Sequence, residues 1–232
     1  MLIKCRYIEQ RNLELYNDIG VKYFMDINIL ANYINSIQDI FNENELAYLS
    51  LTSKNELVIR DKIAYKLHKE LKDHIVSREY SPSNLRSSRI DLAILKDSQI
   101  IDLIEFKSMY TFDALNKFEK YIDAVVKDFE KNKPVVNERM NQYGVIIATH
   151  PKSIPNLKYR EYVKYYDFIN RYMKKVEKGE ELIEIMDNSI RAEFDNENYD
   201  IKQCKLKAGV AFDIEVDIYI WIIQKFSKIE FK

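Results

Sequence analysis

Between Ser88 and Lys107 the chain carries two apolar runs separated by a short polar break. Ser88-Arg89-Ile90-Asp91-Leu92-Ala93-Ile94-Leu95 is followed by Lys96-Asp97-Ser98-Gln99 and then by Ile101-Asp102-Leu103-Ile104-Glu105-Phe106-Lys107. The break has turn chemistry and the runs have the length and side chains of buried strands, so the segment predicts a β-hairpin. Alternation sends Ile90, Leu92 and Ile94 to one face and Asp91, Ala93 and Leu95 to the other. In the second arm, Leu103, Glu105 and Lys107 share a face opposite Ile104 and Phe106. Carboxylates inside apolar strands are costly unless they are paired or hold a cation. The chain therefore has to build a covered sheet that still gives Asp91, Glu105 and Lys107 a common outlet.

The flanks supply the cover. Ser53 followed by Glu56 has the form of a capping box and opens a predicted helix over 53–72, with Ile59, Ile63, Leu67 and Leu71 as its apolar stripe. Lys62, Lys66 and Lys69 fall on its other faces, where they are solvated or track a phosphate backbone. Residues 74–80 read as a short strand, and Ser81-Pro82-Ser83-Asn84 as a turn. A helix is predicted over 111–131, with Leu115, Phe118, Ile122, Val125 and Phe129 buried. The run from Tyr143 to His150 is a strand covered on both faces. A further helix is predicted over 156–176, its stripe of Tyr159, Tyr162, Tyr166, Ile169, Met173 and Val176 assigned to core packing ahead of base stacking. Residues 177–207 are acidic and mixed, with no element assigned. Residues 208–223 form one long strand or two. At the N-terminal side, Ile27, Leu30, Ala31, Ile34 and Ile37 repeat as a helix with one buried face, interrupted at Asn42-Glu43-Asn44-Glu45.

The order from residue 53 is thus helix, three strands, helix, strand, the pattern of a sheet sandwiched between helices. The expected fold class is α/β. Three parts are expected: a helical N-terminal extension over 1–52, a core over 53–178, and a C-terminal extension over 179–232 that belongs to the same domain.

Composition limits the partners. The 232 residues carry a net charge of −1, so any basic footprint for nucleic acid has to be local. The two cysteines, Cys5 and Cys204, have no metal-type spacing and read as reduced thiols. No apolar run approaches the ~20 residues of a membrane span. The N-terminal residues lack the apolar stretch of a secretion signal, and the expected location is the cytoplasm.

Asp91 followed by Glu105-Phe106-Lys107 resembles the PD-(D/E)xK signature of restriction endonuclease-like nucleases. The resemblance spans about the central hundred residues. It implies a core of a mixed β-sheet flanked by helices, in the order α-β-β-β-α-β, with the helical N-terminal and β-containing C-terminal segments as additions. It implies phosphodiester hydrolysis with Mg²⁺ as cofactor, Mn²⁺ being a substitute. Asp91 and Glu105 would be the metal ligands and Lys107 the residue that assists the attacking water. Glu56 falls where the family often places a further acidic ligand, although a helix-capping role explains it nearly as well. The family's proline before the aspartate is Ile90 here.

The chemistry agrees with that assignment, because Mg²⁺ takes one or two carboxylates and leaves its other positions to water and phosphate. Lys62, Lys66, Lys69 and Lys117 are the candidates for contacting the backbone of the expected partner, double-stranded DNA. A homodimer paired through the strand over 208–223 is a further expectation. The alternative function is a non-catalytic module on the same fold that binds nucleic acid or protein.

Two decoys share the letters. Glu70-Leu71-Lys72 falls in a predicted helix, where residues two apart do not share a face. Ile229-Glu230-Phe231-Lys232 repeats Ile104-Glu105-Phe106-Lys107 and follows Asp217, but it ends the sequence with no helix and strand after it. His150 could reach the site from the end of its strand; a structural role is the simpler expectation.

Overall fold

The computed structural model describes residues 25–83, 89–137, 140–176 and 179–226. Ser88, Cys5, the first part of the N-terminal extension and the repeated Ile229-Glu230-Phe231-Lys232 lie outside these residues. The helices are α1 (Ile27–Ser36), α2 (Glu45–Thr52), α3 (Glu56–Glu70), α4 (Glu119–Asn132), α5 (Tyr166–Met173) and α6 (Glu180–Phe194). The strands are β1 (Ile75–Tyr80), β2 (Ile90–Lys96), β3 (Gln99–Tyr110), β4 (Asn141–Pro151), β5 (Tyr199–Ala211) and β6 (Ile214–Lys225).

The six strands make one mixed sheet in the order β1-β2-β3-β4-β6-β5. β1, β2 and β3 form an antiparallel meander, and β3 pairs with β4 in parallel. Parallel neighbours need a long crossover, and here it runs through a 3₁₀ turn (Thr111–Leu115) and α4. β6 returns antiparallel to β4 and carries β5 at the edge. From α3 to β4 the order is therefore helix, three strands, helix, strand.

Both faces of the sheet are covered. On one, Leu30 and Ile34 of α1, Leu51 of α2 and Ile59, Ile63 and Leu67 of α3 meet Ile104, Phe106, Val145, Ile147 and Ile218. On the other, Ile122, Val125 and Phe129 of α4 and Met186, Ile190 and Phe194 of α6 meet Ile146, Ala148, Trp221 and Ile223. The consecutive apolar residues of β4 thus serve alternate cores, as a strand buried on both sides requires. Gly144 of β4 sets how near α4 comes: a Cβ there would lie 2.4 Å from Val125 Cγ1.

The hairpin turns at Asp97 and Ser98, both left-handed with φ of 48° and 63°. Two such residues make the tight turn whose twist matches the strands.

Several expectations are corrected. Helix α3 starts at Glu56 with Asn55 as its cap residue, while Ser53 terminates α2, so the capping box is not formed. Asn55 has other work. Its Nδ2 donates to Ser50 Oγ (2.9 Å) and Thr149 Oγ1 (3.1 Å), and its Oδ1 accepts from Ser108 Oγ (2.9 Å). The helix predicted over 111–131 is divided. The Tyr110 amide and the Tyr121 hydroxyl both bond to Asp113, which stabilises a separate 3₁₀ turn before α4. The helix predicted over 156–176 is reduced to a 3₁₀ turn (Leu157–Tyr159) and α5. The unassigned stretch contains α6, whose Leu182, Met186, Ile190 and Phe194 repeat every four residues and are buried.

Of the two readings for 208–223, one long strand or two, the second is the observed one. Phe212 and Asp213, with φ of 53° and 58°, turn the chain from β5 into β6. β6 is internal, paired on both sides, so it cannot accept a strand from a second copy. The edge strand on this side of the sheet is β5; β1 is the other edge. On β5 the Lys207 N–H donates to Gln38 Oε1 (2.8 Å) and the Val210 N–H to Asn44 Oδ1 (2.7 Å). Side chains have taken part of the bonding edge that an added strand would use.

Candidate active site

The β2–β3 ladder runs to Leu92 opposite Ile104. One step further the same register would set Asp91 opposite Glu105. There the Phe106 N–H goes to the Asp91 side chain, at 2.8 Å from Oδ2. A carboxylate takes over a backbone donor of β3 where the ladder stops, and the acidic face of the hairpin opens at this point.

Helix α4 closes that face from the side. Lys131 Nζ lies 2.7 Å from Glu105 Oε1 and 3.2 Å from Asp128 Oδ1. Asn132 Nδ2 donates to the same Glu105 oxygen at 3.2 Å. Lys107 is paired with Asp128 and also donates to the Phe106 carbonyl at 3.2 Å. From α3, Arg60 pairs with Glu79, and its Nη1 lies 3.7 Å from Asp91 Oδ1.

Glu56, at the first turn of α3, belongs to the same cluster. Burial raises its carboxyl above the usual range and the Asp91 charge adds to that. The charges of Lys107 and Lys54 and the Ser108 N–H pull it down. Glu105 is more strongly affected: burial pushes it up to about 7 against the Lys131 hydrogen bond, and the charges of Asp128 and Asp91 push the same way. Asp91, Glu105, Lys107 and Glu56 are therefore brought together, as the sequence led one to expect.

The lysines singled out for phosphate contact are engaged elsewhere or stand apart. Lys62 lies over the Phe41 ring at 5.0 Å, and Lys66 pairs with Glu70 at 3.3 Å. Lys69 is exposed on α3, and Lys117 is exposed in the turn before α4. Glu70 of the first decoy is the last residue of α3 and faces Lys66. Asp217 of the second is buried on β6 and answered by Lys205 (2.8 Å) and Lys152 (3.2 Å). His150 is buried, with Nδ1 2.9 Å from Thr111 Oγ1, and burial lowers its pKa.

Sequence reasoning missed Arg60, Asp128, Lys131 and Asn132. Asp128, Lys131 and Asn132 sit at i, i+3 and i+4, which puts them on one helical face. That spacing was visible; the strand they face was not.

The donors around the cluster are oxygens: the carboxylates of Asp91, Glu105, Glu56 and Asp128 and the Phe106 carbonyl. Asn132 Oδ1, buried beside Glu105, has no hydrogen-bond partner. Hard oxygen donors suit Mg²⁺ in kind. Among the described residues no group of three or more His, Cys, Asp or Glu side chains is gathered as a ligand set. Instead the ammonium groups of Lys107 and Lys131 answer the carboxylates. Comparison with known proteins returns no matching family model, no matching curated protein and no matching solved structure.

Proposed function

We propose that the chain is a Mg²⁺-dependent nuclease of the restriction endonuclease-like kind, hydrolysing phosphodiester bonds of DNA. The observation that carries the reading is the meeting of Asp91, Glu105 and Lys107 with Glu56 where the β2–β3 ladder stops. The order α3-β1-β2-β3-α4-β4 supports it, because it matches the core that the motif resemblance implies.

Asp91 and Glu105 would hold the ion, and Glu56 would support a second one. Bound there, Mg²⁺ would stabilise charge on the phosphate and lower the pKa of a water. Lys107 keeps an ammonium on the Glu105 face, where it orients the attacking water or neutralises developing charge. Lys131 holds Glu105 in place and adds positive charge next to it. Asp91 has a double duty, since it also satisfies the Phe106 amide and so fixes the strand that carries Glu105 and Lys107.

The test is incubation of the purified protein with plasmid and linear DNA, with Mg²⁺ or Mn²⁺ present. Cleavage is expected and should disappear in Asp91→Ala and Lys107→Ala. Cleavage that persists unchanged in both removes the assignment.

A second reading rests on the same ion pairs. Lys107, Lys131 and Arg60 already answer Asp128, Glu105 and Asp91, as they would in a non-catalytic binding module. Thermal melting separates the two: a metal site raises the melting temperature when Mg²⁺ or Mn²⁺ is added. No shift and no cleavage favour the module.

A further inference from the structure

Where the 3₁₀ turn meets α5, a cluster of aromatic rings reaches from the core to the surface. Phe112, Phe168 and Tyr172 lie nearly parallel: Phe112 is 6.4 Å from Phe168 at 13° and 5.8 Å from Tyr172 at 10°. Phe168 and Tyr172 are 6.3 Å apart at 17°. The ring cluster starts buried, with Phe112 4% exposed, and ends open, with Phe168 43% exposed. Tyr165, 37% exposed, stands edge-on to both Tyr110 and Phe168. Core packing explains Phe112; it does not explain why Phe168 and Tyr165 are left partly open to water.

Cations border the open rings. Arg171 lies over Phe168 at 5.7 Å, Lys164 over Tyr165 at 5.3 Å, and Lys175 over Tyr172 at 5.0 Å. Residues 158–175 contain six Lys or Arg and only two Asp or Glu, in a chain whose net charge is −1. This is a local basic footprint, with aromatic faces between the charges.

The rings follow the strand that carries Glu105 and Lys107. Phe112 follows Lys107 by five residues, through the end of β3 and into the 3₁₀ turn. The Lys164 amide donates to Leu51 at 2.7 Å, which anchors the lead into α5 on the end of α2, close before Glu56. Tyr121 of α4 is bonded to Asp113 of the 3₁₀ turn at 3.2 Å.

We propose that this face binds an unpaired nucleic-acid strand, its bases stacking on Phe168 and Tyr165 and its phosphates meeting Lys164, Arg171 and Lys175. Stacking on aromatic side chains with a basic track for the backbone is how unpaired strands are held without sequence preference. In a duplex the bases stack on one another and leave no free face for the rings. The inference rests on the nuclease reading for its consequence, that the strand delivered to Asp91 and Glu105 is unpaired; the binding itself stands apart from catalysis.

The experiment is fluorescence anisotropy on the full chain with a labelled oligothymidine of about 12 nucleotides, a length within the usual range of such sites, and with a duplex hairpin. EDTA is present, so no cleavage intervenes. The single strand should bind more tightly than the hairpin. Phe168→Ala should weaken single-strand binding roughly tenfold, the loss of about one stacked base. Arg171→Glu should weaken it and flatten its salt dependence, and carries the test if Phe168→Ala does not fold. Equal single-strand binding by folded Phe168→Ala and Arg171→Glu overturns the proposal, as does a preference for the hairpin. No binding of either nucleic acid at low salt also overturns it and leaves the face to a protein partner. If the chain cleaves nothing with Mg²⁺ yet both variants lose single-strand binding, the nuclease reading fails and this one stands.

Discussion

The Asp91 carboxylate accepts the backbone N–H of Phe106 at 2.8 Å, so one side chain of β2 does the work of a strand carbonyl for β3. The residue read as a metal ligand is also part of the sheet. Asp91→Ala should therefore do two things: abolish Mg²⁺-dependent cleavage and cost about 1–3 kcal/mol of stability, because the Phe106 amide loses its acceptor. Asp91→Asn should abolish cleavage with a smaller stability loss, since its amide oxygen can still accept. Parallel melting and cleavage assays separate the roles; equal melting of Asp91→Ala and the unaltered protein would contradict the structural one.

Two carboxyls titrate near neutrality, each raised by burial: Glu105 from 4.5 to about 7 and Asp102 from 3.8 to about 7. A raised folded value means that the folded state holds the proton more tightly. The stabilisation is complete below the unfolded value and is lost as pH rises through about 7. Melting temperature should fall across that window in the absence of metal. Glu105→Gln and Asp102→Asn should each reduce the fall. On the proposed function, only the Glu105 part responds to Mg²⁺, whose stabilising shift should grow as the pH passes about 7, because the ion needs the ionised carboxylate.

Removing Lys131 tests the electrostatics of Glu105 directly. Its hydrogen bond lowers the Glu105 pKa. Lys131→Met should move the pH midpoint of the Mg²⁺ effect upward. It should also weaken cleavage near neutral pH by more than it does at alkaline pH. A midpoint that stays in place would show that Lys131 is only a surface lysine.

Gly144→Ala should destabilise by about 1–3 kcal/mol, the usual cost of overfilling a packed core. The new Cβ would meet Val125 Cγ1 at 2.4 Å, and α4 would have to retreat. Because Lys131 and Asp128 ride on that helix, activity should fall with stability. Val125→Ala in the same chain should restore part of both. Failure of the double variant to recover would place the strain elsewhere.

How far the sequence could be read differs from element to element. The meander β1-β2-β3 and the strand β4 were legible, because apolar alternation and the Asp97-Ser98 turn act over short distances. Asp91, Glu105 and Lys107 were legible for the same reason, as charges where apolar residues belong. Arg60 and Lys131 were not, since what gives them meaning is a partner on another element: Asp91 for one, Glu105 for the other. The aromatic stripe over 156–176 was assigned to the core because hydrophobic spacing alone does not say which rings will be covered; Ile169 is buried while Tyr162 is 61% exposed. Helix α6 escaped because its acidic first turn hid a regular four-residue stripe. The edge of the sheet was misplaced because Phe212-Asp213 lacks the residues that usually mark a tight turn.

The blunted edge at β5 bears on how the molecule behaves in a crowd. Gln38 and Asn44 occupy two N–H groups that a neighbour's strand would seek, and Lys202, Lys205 and Lys207 add repulsion between copies along the same strand. Growth of the sheet from one molecule to the next is obstructed at that rim. Addition of a strand at β5 should be disfavoured in a concentrated solution, and trimming Gln38 and Asn44 to alanine would remove the obstruction at that rim while leaving the carboxylate cluster intact.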